Sequence, residues 1–240
     1  EKYNPIHKKN DIAMIFFTSG STGEPKGVPI NQTNYLTSLY GQLKNLFNEN
    51  KKYTFADVHD TSFVISLNIL LPCIYYRSVI SPMRETSDKV YPLNFFSKNK
   101  VNFLITLPSF INQIKLSIFE KNKKVKLDTV IMCGESFYSS INKTIKKKFS
   151  PKNIFNCYGS TELSPWVFFY KYKQKDDILI NSLGIVPIGK PYNFVKIFKK
   201  KEELILGGEN VVNGYLNVSN KKKFFFYKSL RYYKTGDLFI

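Results

Sequence analysis

The sequence predicts an α/β fold: parallel sheets with covering helices, joined to a small, mainly antiparallel β subdomain. Two observations carry this. Across the first part of the chain, short β-rich apolar runs alternate with amphipathic stretches at the spacing of βαβ units. From about residue 176 the texture changes to short strands separated by polar turns, with Gly207, Gly208 and Gly214 as punctuation. With 240 residues, 43% hydrophobic and 16% aromatic, the chain can bury a core and is too apolar for a disordered segment. The expected division is 1–175 for the α/β part and 176–240 for the β-rich part.

Residues 12–17 form an apolar run that stops at a Ser/Thr/Gly cluster, and Asn31 can cap a helix through about Phe47. Further strands are expected at 77–81, 102–106, 129–133 and 153–157, with helices at about 108–121 and 136–149 between them. In the second part, 195–198 and 203–206 read as short strands.

Charge and cysteine content bound the setting. Thirty-six Lys and Arg against 18 Asp and Glu give +18, which suits nucleic acid, an anionic membrane surface or a polyphosphate ligand. The lysines run from Lys2 to Lys234, however, and read as a compositional bias with solvated faces rather than one basic patch. Cys73, Cys133 and Cys157 are odd in number, with no CxxC pair and no clustered His, so neither a disulfide framework nor a zinc site is suggested. The expected setting is reducing and cytoplasmic. The longest apolar stretch, 63–76, is interrupted by Ser66, Asn68 and Pro72 and falls short of the roughly 20 residues of a bilayer span. Residues 1–11 are polar and the first is not Met, so the expectation is a soluble chain without a signal peptide, part of a longer one.

The most informative segment is Thr18-Ser19-Gly20-Ser21-Thr22-Gly23-Glu24-Pro25-Lys26-Gly27-Val28, directly after an apolar strand. Glycines let backbone amides converge on an anion, hydroxyls add donors and Lys26 supplies a point charge, which makes a phosphate-binding loop. Gly27 stands where a Walker A loop needs Ser or Thr, so it is not that motif.

This string resembles the phosphate-loop signature of the adenylate-forming (AMP-binding) enzymes: acyl-CoA ligases, firefly-type luciferases and the adenylation domains of carrier-protein systems. The resemblance recurs in order downstream. Asn156-Cys157-Tyr158-Gly159-Ser160-Thr161-Glu162 is similar to the family's YG[SP]TE motif. Glu203 to Gly208 followed by Gly214-Tyr215 is similar to its GEL…G…GY motif, and Tyr233-Lys234-Thr235-Gly236-Asp237 to its Y[RK]TGD motif. These span nearly the whole chain and imply the large N-terminal domain of that family. The mobile C-terminal domain, with the family's catalytic lysine, would lie outside this chain, which ends three residues past Asp237.

The resemblance implies ATP and Mg²⁺ as cofactors, with Thr18, Ser19, Gly20, Ser21, Thr22, Gly23, Lys26, Gly134, Glu135, Asn156, Tyr158, Gly159, Thr161 and Asp237 on the nucleotide. Lys26, Thr161 and Glu162 are the candidate catalytic residues and Glu162 the candidate metal ligand. The residue types agree. Tyr158 offers a flat ring for a purine, Thr161 a hydroxyl, Glu162 a hard oxygen beside phosphates, and Asp237 a carboxylate able to accept two ribose hydroxyls. Met132-Cys133-Gly134-Glu135 resembles the turn whose backbone lies beside adenine, with Cys133 in place of a Gly; Glu135 equally fits a cap on the following helix.

For the acyl substrate, His59-Asp60-Thr61-Ser62 resembles the FDxS segment of amino-acid adenylation domains, with His59 departing from the usual aromatic. There the Asp pairs with the α-ammonium, since an unpaired buried charge is expensive; Asp60 also fits a cap on a helix starting near Thr61 or Ser62. Trp166 and Phe168 fit either the acyl pocket or the core. The expected activity is attack of a carboxylate on the α-phosphorus of ATP, giving an acyl-adenylate and pyrophosphate. The expected substrate is an amino acid for transfer to a carrier protein's phosphopantetheine thiol, with the thiol of coenzyme A as the other acceptor. A fatty or aryl acyl-CoA ligase is the alternative within the family. A basic, non-catalytic nucleic-acid-binding module is the alternative outside it and leaves the four motifs unexplained.

Overall fold

A computed structural model describes residues 8–18, 24–173, 184–200, 202–216, 219 and 222–238. A seven-stranded sheet dominates, in the order β4-β3-β5-β6-β7-β8-β9. Its parallel part comprises β3 (Thr54–Asp57), β4 (Val79–Pro82), β5 (Phe103–Thr106), β6 (Thr129–Cys133) and β7 (Asn153–Gly159). The strands β8 (Trp166–Lys171) and β9 (Lys190–Pro191) extend it antiparallel.

The central strands are rich in apolar residues because both their faces are covered, and alternation sends their side chains into two cores. Phe103, Ile105, Ile131, Cys133, Phe155 and Cys157 pack on one side with Tyr35 and Leu46 of α1 (Gln32–Leu46) and Leu67 and Ile69 of α2 (Leu67–Tyr75). Leu104, Val130, Met132 and Ile154 pack on the other. They meet Leu93 and Phe96 of α4 (Pro92–Lys98), Ile111 and Ile114 of α5 (Pro108–Leu116), and Ile141, Ile145 and Phe149 of α6 (Ser139–Phe149). The short α3 (Thr86–Val90) precedes α4.

Asn31 is the N-cap of α1, its Oδ1 accepting from the Asn34 backbone at 2.7 Å while the Asn34 Oδ1 accepts from the Asn31 backbone N–H at 3.2 Å. The helix expected to reach residue 121 stops at Leu116. The following segment is held instead by the buried Lys148, whose Nζ donates to the carbonyls of Glu120 at 2.7 Å and Lys121 at 2.9 Å.

Two smaller sheets lie outside the large one. β1 (Ile12–Thr18) and β2 (Lys26–Asn31) form an antiparallel hairpin in which Thr18 pairs with Lys26. β10 (Lys196–Lys200), β11 (Glu203–Gly207), β12 (Phe224–Tyr227) and β13 (Leu230–Leu238) form an antiparallel sheet in the order β10-β11-β13-β12. Among the described residues no helix is long and apolar enough to cross a membrane. The three cysteines are free and buried.

Candidate nucleotide and acyl site

The strand order places a crevice. From β3 the chain passes outward to β4, then returns to the other side of β3 to begin the run β5-β6-β7. The carboxyl ends of β3 and β5 therefore flank a topological switch point, where ligands enter open α/β sheets. A cavity of about 710 Å³ opens there. Its walls include Val58, His59 and Asp60 after β3, Leu107 after β5, Gly134 and Glu135 after β6, Gly159 at the end of β7, and Ser160 and Thr161 after it. Thr18, Phe63 and Trp166 also line it.

A second cavity, of about 490 Å³, adjoins it through Gly134, Glu135 and Gly159 and is lined by Asn156, Tyr158 and Asp237. Asp237 reaches it because β13 shifts register against β11: Ile205 pairs with Lys234, but Glu203 pairs with Leu238. At the shift the Thr235 hydroxyl donates to Leu204 O at 2.6 Å, and Gly236 takes a φ of 85°, the left-handed region that favours glycine. The irregularity aims Asp237 at Tyr158, whose phenol donates to Asp237 Oδ2 at 2.5 Å. Burial, then the Asp237 carboxylate, pushes the Tyr158 phenol up, so it stays a donor.

The turns after β6 and β7 need their glycines. A Cβ on Gly134, at φ 77°, would stand 2.7 Å from Leu107 Cδ2, and one on Gly159 would stand 1.8 Å from Pro165 O. Glu135 does cap a helix, but the preceding one rather than the one expected. Its Oε2 accepts from the Ser109 backbone at 2.9 Å and its Oε1 from the Ser109 hydroxyl at 2.8 Å, in the first turn of α5. The Asn156 amide donates to the carbonyls of Val186 at 3.1 Å and Pro187 at 3.0 Å, anchoring the segment that forms the cavity's far wall.

Asp60 lies exposed at the mouth of the larger cavity. Its Oδ1 accepts from Ser62 N at 2.8 Å, and bonds from the Ser62 backbone and hydroxyl hold its carboxyl below the ordinary range. The helical turn begins only at Val64, so Asp60 closes a local turn rather than capping a helix at 61 or 62. His59 turns inward, with Nε2 3.1 Å from Ile105 O, a contact that suits the Nε2–H tautomer. Burial pushes its imidazole down, against the opposing pull of the Ile105 carbonyl and the Asp57 charge. Trp166 lines the larger cavity while being almost wholly buried, so it serves both wall and core; Phe168 packs edge-on against Tyr158.

Ser19 to Gly23 fall outside the described residues, but the hairpin ends that carry them, Thr18 and Lys26, are paired. Glu162 sits in a 3-10 turn (Thr161–Leu163), is 7% exposed, and belongs to the lining of neither cavity. Its Oε1 accepts from the Tyr215 phenol at 2.7 Å. Tyr233 borders the same carboxylate. In the sequence Tyr215 and Tyr233 stand only as letters of motifs, and the tyrosine after Gly214 is the signal that marks this position.

Among the described residues no group of three His, Cys, Asp or Glu could hold a metal by itself. A single carboxylate is nevertheless a fitting donor set for Mg²⁺, which keeps waters and binds through one or two carboxylates together with substrate phosphates.

A family model described as "AMP-binding enzyme" matches residues 1–216. The D-alanine--D-alanyl carrier protein ligase of Bacillus licheniformis is 29% identical over 243 residues, 95% of this chain and 48% of that protein. The ligase of the same name from Lactococcus lactis is 29% identical over 235 residues, 95% of this chain and 46% of that protein. The chain thus spans about half the length of the curated relatives it matches. Among solved structures, the Vibrio cholerae adenylation domain AlmE in complex with glycyl-adenosine-5'-phosphate aligns with a TM-score of 0.82 at 19% identity, covering 97% of this chain and 46% of that one. The o-succinylbenzoate coenzyme A synthetase of Bacillus subtilis, in complex with ATP and magnesium ion, aligns with a TM-score of 0.74 at 19% identity, covering 96% and 48%.

Proposed function

Because the chain belongs to the AMP-binding enzyme family, we propose that it supplies the nucleotide- and acyl-binding part of an enzyme that activates a carboxylate with ATP. The observation that carries this is the meeting of Tyr158 and Asp237 beside the switch-point crevice, where a ring and a carboxylate stand ready for a purine and a ribose. The substrate carboxylate attacks the α-phosphorus, a new P–O bond forms, and the bond to the leaving pyrophosphate breaks. Two anions must meet and a third must leave, so positioning and electrostatics dominate. We assign Lys26 and residues 19–23 to the phosphates, Thr161 to the α-phosphate, and Tyr158, Asp237, Asn156 and the 134–135 turn to the nucleoside. Glu162 would hold Mg²⁺, which when bound neutralises phosphate charge and favours departure of pyrophosphate.

The acyl group occupies the larger cavity. The carrier-protein ligases among the relatives support an amino acid as substrate and a carrier-protein thiol as acceptor, with Asp60 as the ammonium's partner and Trp166 as a wall. The free thiols Cys73, Cys133 and Cys157 support a reducing, cytoplasmic setting. We divide the chain near residue 176, the first part carrying both cavities except for Asp237 and the loop segments that close them.

A second reading, a fatty or aryl acyl-CoA ligase, is favoured by the apolar crevice walls Phe16, Phe63, Val64 and Ile65 and by the engagement of Asp60 with Ser62. Carboxylate-dependent exchange of labelled pyrophosphate into ATP decides between them, with amino, fatty and aryl acids offered to the full-length protein. Exchange with one class names the substrate. No exchange despite measured ATP binding reduces the function to nucleotide binding.

A further inference from the structure

The loop of residues 208–216 is tied down on three sides. The Asn34 amide of α1 donates to Glu209 O at 2.6 Å and Val211 O at 3.1 Å. Asn210 donates to Leu163 O at 3.1 Å, and Val212 N to Glu162 O at 3.1 Å, fixing the loop to the 3-10 turn. Leu216 N donates to Gly27 O at 2.9 Å, fixing it to the β1–β2 hairpin. Tyr215 lies between the last two anchors. Its ring packs edge-on against Phe224, with centroids 5.4 Å apart, and faces the Lys26 ammonium at 5.4 Å from the centroid, while its hydroxyl holds Glu162.

We propose that Tyr215 is a positioning residue for metal binding: it fixes the Glu162 carboxylate for Mg²⁺ and couples that carboxylate to Lys26 of the phosphate hairpin. This rests on the assignment of Glu162 as metal ligand made above. Glu162 is buried, and among the described residues it makes no ion pair. A buried carboxylate without a cation is costly, and hydrogen bonds to a ligating carboxylate orient it for its metal. The accepted Tyr215 bond still leaves lone pairs free, since a carboxylate offers about four. Burial first, then the Glu162 charge, pushes the Tyr215 and Tyr233 phenols up, which keeps both as donors.

The test uses the full-length protein and two readouts. In the first, Mn²⁺ is titrated into the protein–ATP complex and its bound fraction followed by electron paramagnetic resonance, which requires no turnover. Tyr215→Phe, which keeps the ring, should weaken Mn²⁺ about fivefold or more, and Glu162→Gln at least as much. The double variant should be no weaker than Glu162→Gln alone, because both changes act on one carboxylate. In the second, the half-saturating Mg²⁺ for pyrophosphate exchange should rise in Tyr215→Phe by more than kcat at saturating Mg²⁺ falls. Thermal unfolding of each variant separates loss of fold from loss of metal. Unchanged Mn²⁺ affinity in a folded Tyr215→Phe overturns the proposal, as does an effect that persists in the Glu162→Gln background. If the unaltered protein binds Mn²⁺–ATP as expected yet exchanges no pyrophosphate, the adenylation reading fails while this one stands.

Discussion

Tyr158 and Asp237, 79 positions apart, are joined by one hydrogen bond at the edge of the second cavity. Asp237→Ala removes the acceptor proposed for the ribose and the partner of the Tyr158 phenol. The expected result is a rise of roughly ten- to a hundredfold in the KM for ATP, with little change in the KM of the carboxylate, as befits loss of charge-assisted bonds. Steady-state pyrophosphate exchange and nucleotide titration measure it; an unaltered ATP affinity removes Asp237 from the nucleotide.

Asp60 distinguishes the two substrate readings. Asp60→Ala should raise the KM of an amino-acid substrate about thirtyfold or more while leaving fatty and aryl acids untouched. Equal kinetics with every acid would assign Asp60 to the Ser62 turn alone.

His59 predicts a pH dependence of stability. Its folded value lies below the ordinary 6.5, chiefly because it is buried, so the unfolded chain binds the proton more tightly. The stabilisation is then fully present above pH 6.5 and is lost as pH falls through the folded value. The thermal midpoint should drop further between pH 7 and pH 5 in the unaltered protein than in His59→Phe. Parallel curves would show that the imidazole is not the titrating group.

Gly159→Ala should be severe, because the new methyl would meet backbone, Pro165 O at 1.8 Å and Trp166 Cα at 2.8 Å, rather than a movable side chain. A loss of about 3 kcal/mol or more is expected by urea denaturation, at or above the upper end for overpacking. A loss below about 1 kcal/mol would mean that the strand end yields.

Glu135→Ala removes the cap on α5. The expected cost is about 0.5–2 kcal/mol in stability, read by the same denaturation, together with a weaker nucleotide affinity as the turn after β6 loosens. A stability loss without any change in affinity would confine Glu135 to the helix.

The legible parts of this molecule are those whose cause is local or compositional. β5, β6 and β7 are doubly covered strands and announce themselves as apolar runs; Asn31 caps α1 through a neighbour three positions away. The motifs marked both cavities, and the strand ends they follow are where the structure places Gly134, Tyr158, Thr161 and Asp237. Other elements were hidden for physical reasons. β2 contains Pro29, a residue that argues against a strand, and β3 has only four residues, one of them Asp57. The helix α2 carries Pro72 inside it, and α5 ends early because Lys148, some thirty residues on, captures the carbonyls beyond it. Partners set by tertiary contact had no sequence signal. Glu135 with Ser109, Asn156 with Val186, and Tyr215 with Glu162 are all of this kind.

The ties of the 208–216 loop also set an order of assembly. Asn34 reaches carbonyls 175 and 177 positions away, whereas β5, α5, β6, α6 and β7 are successive neighbours that can pair as they emerge. Closing so long a chain loop gains nothing until its far end exists. A nascent chain halted before residue 209 would therefore hold a covered sheet and its crevice without Asp237, and that carboxylate would join the second cavity only once residues 209–238 had emerged.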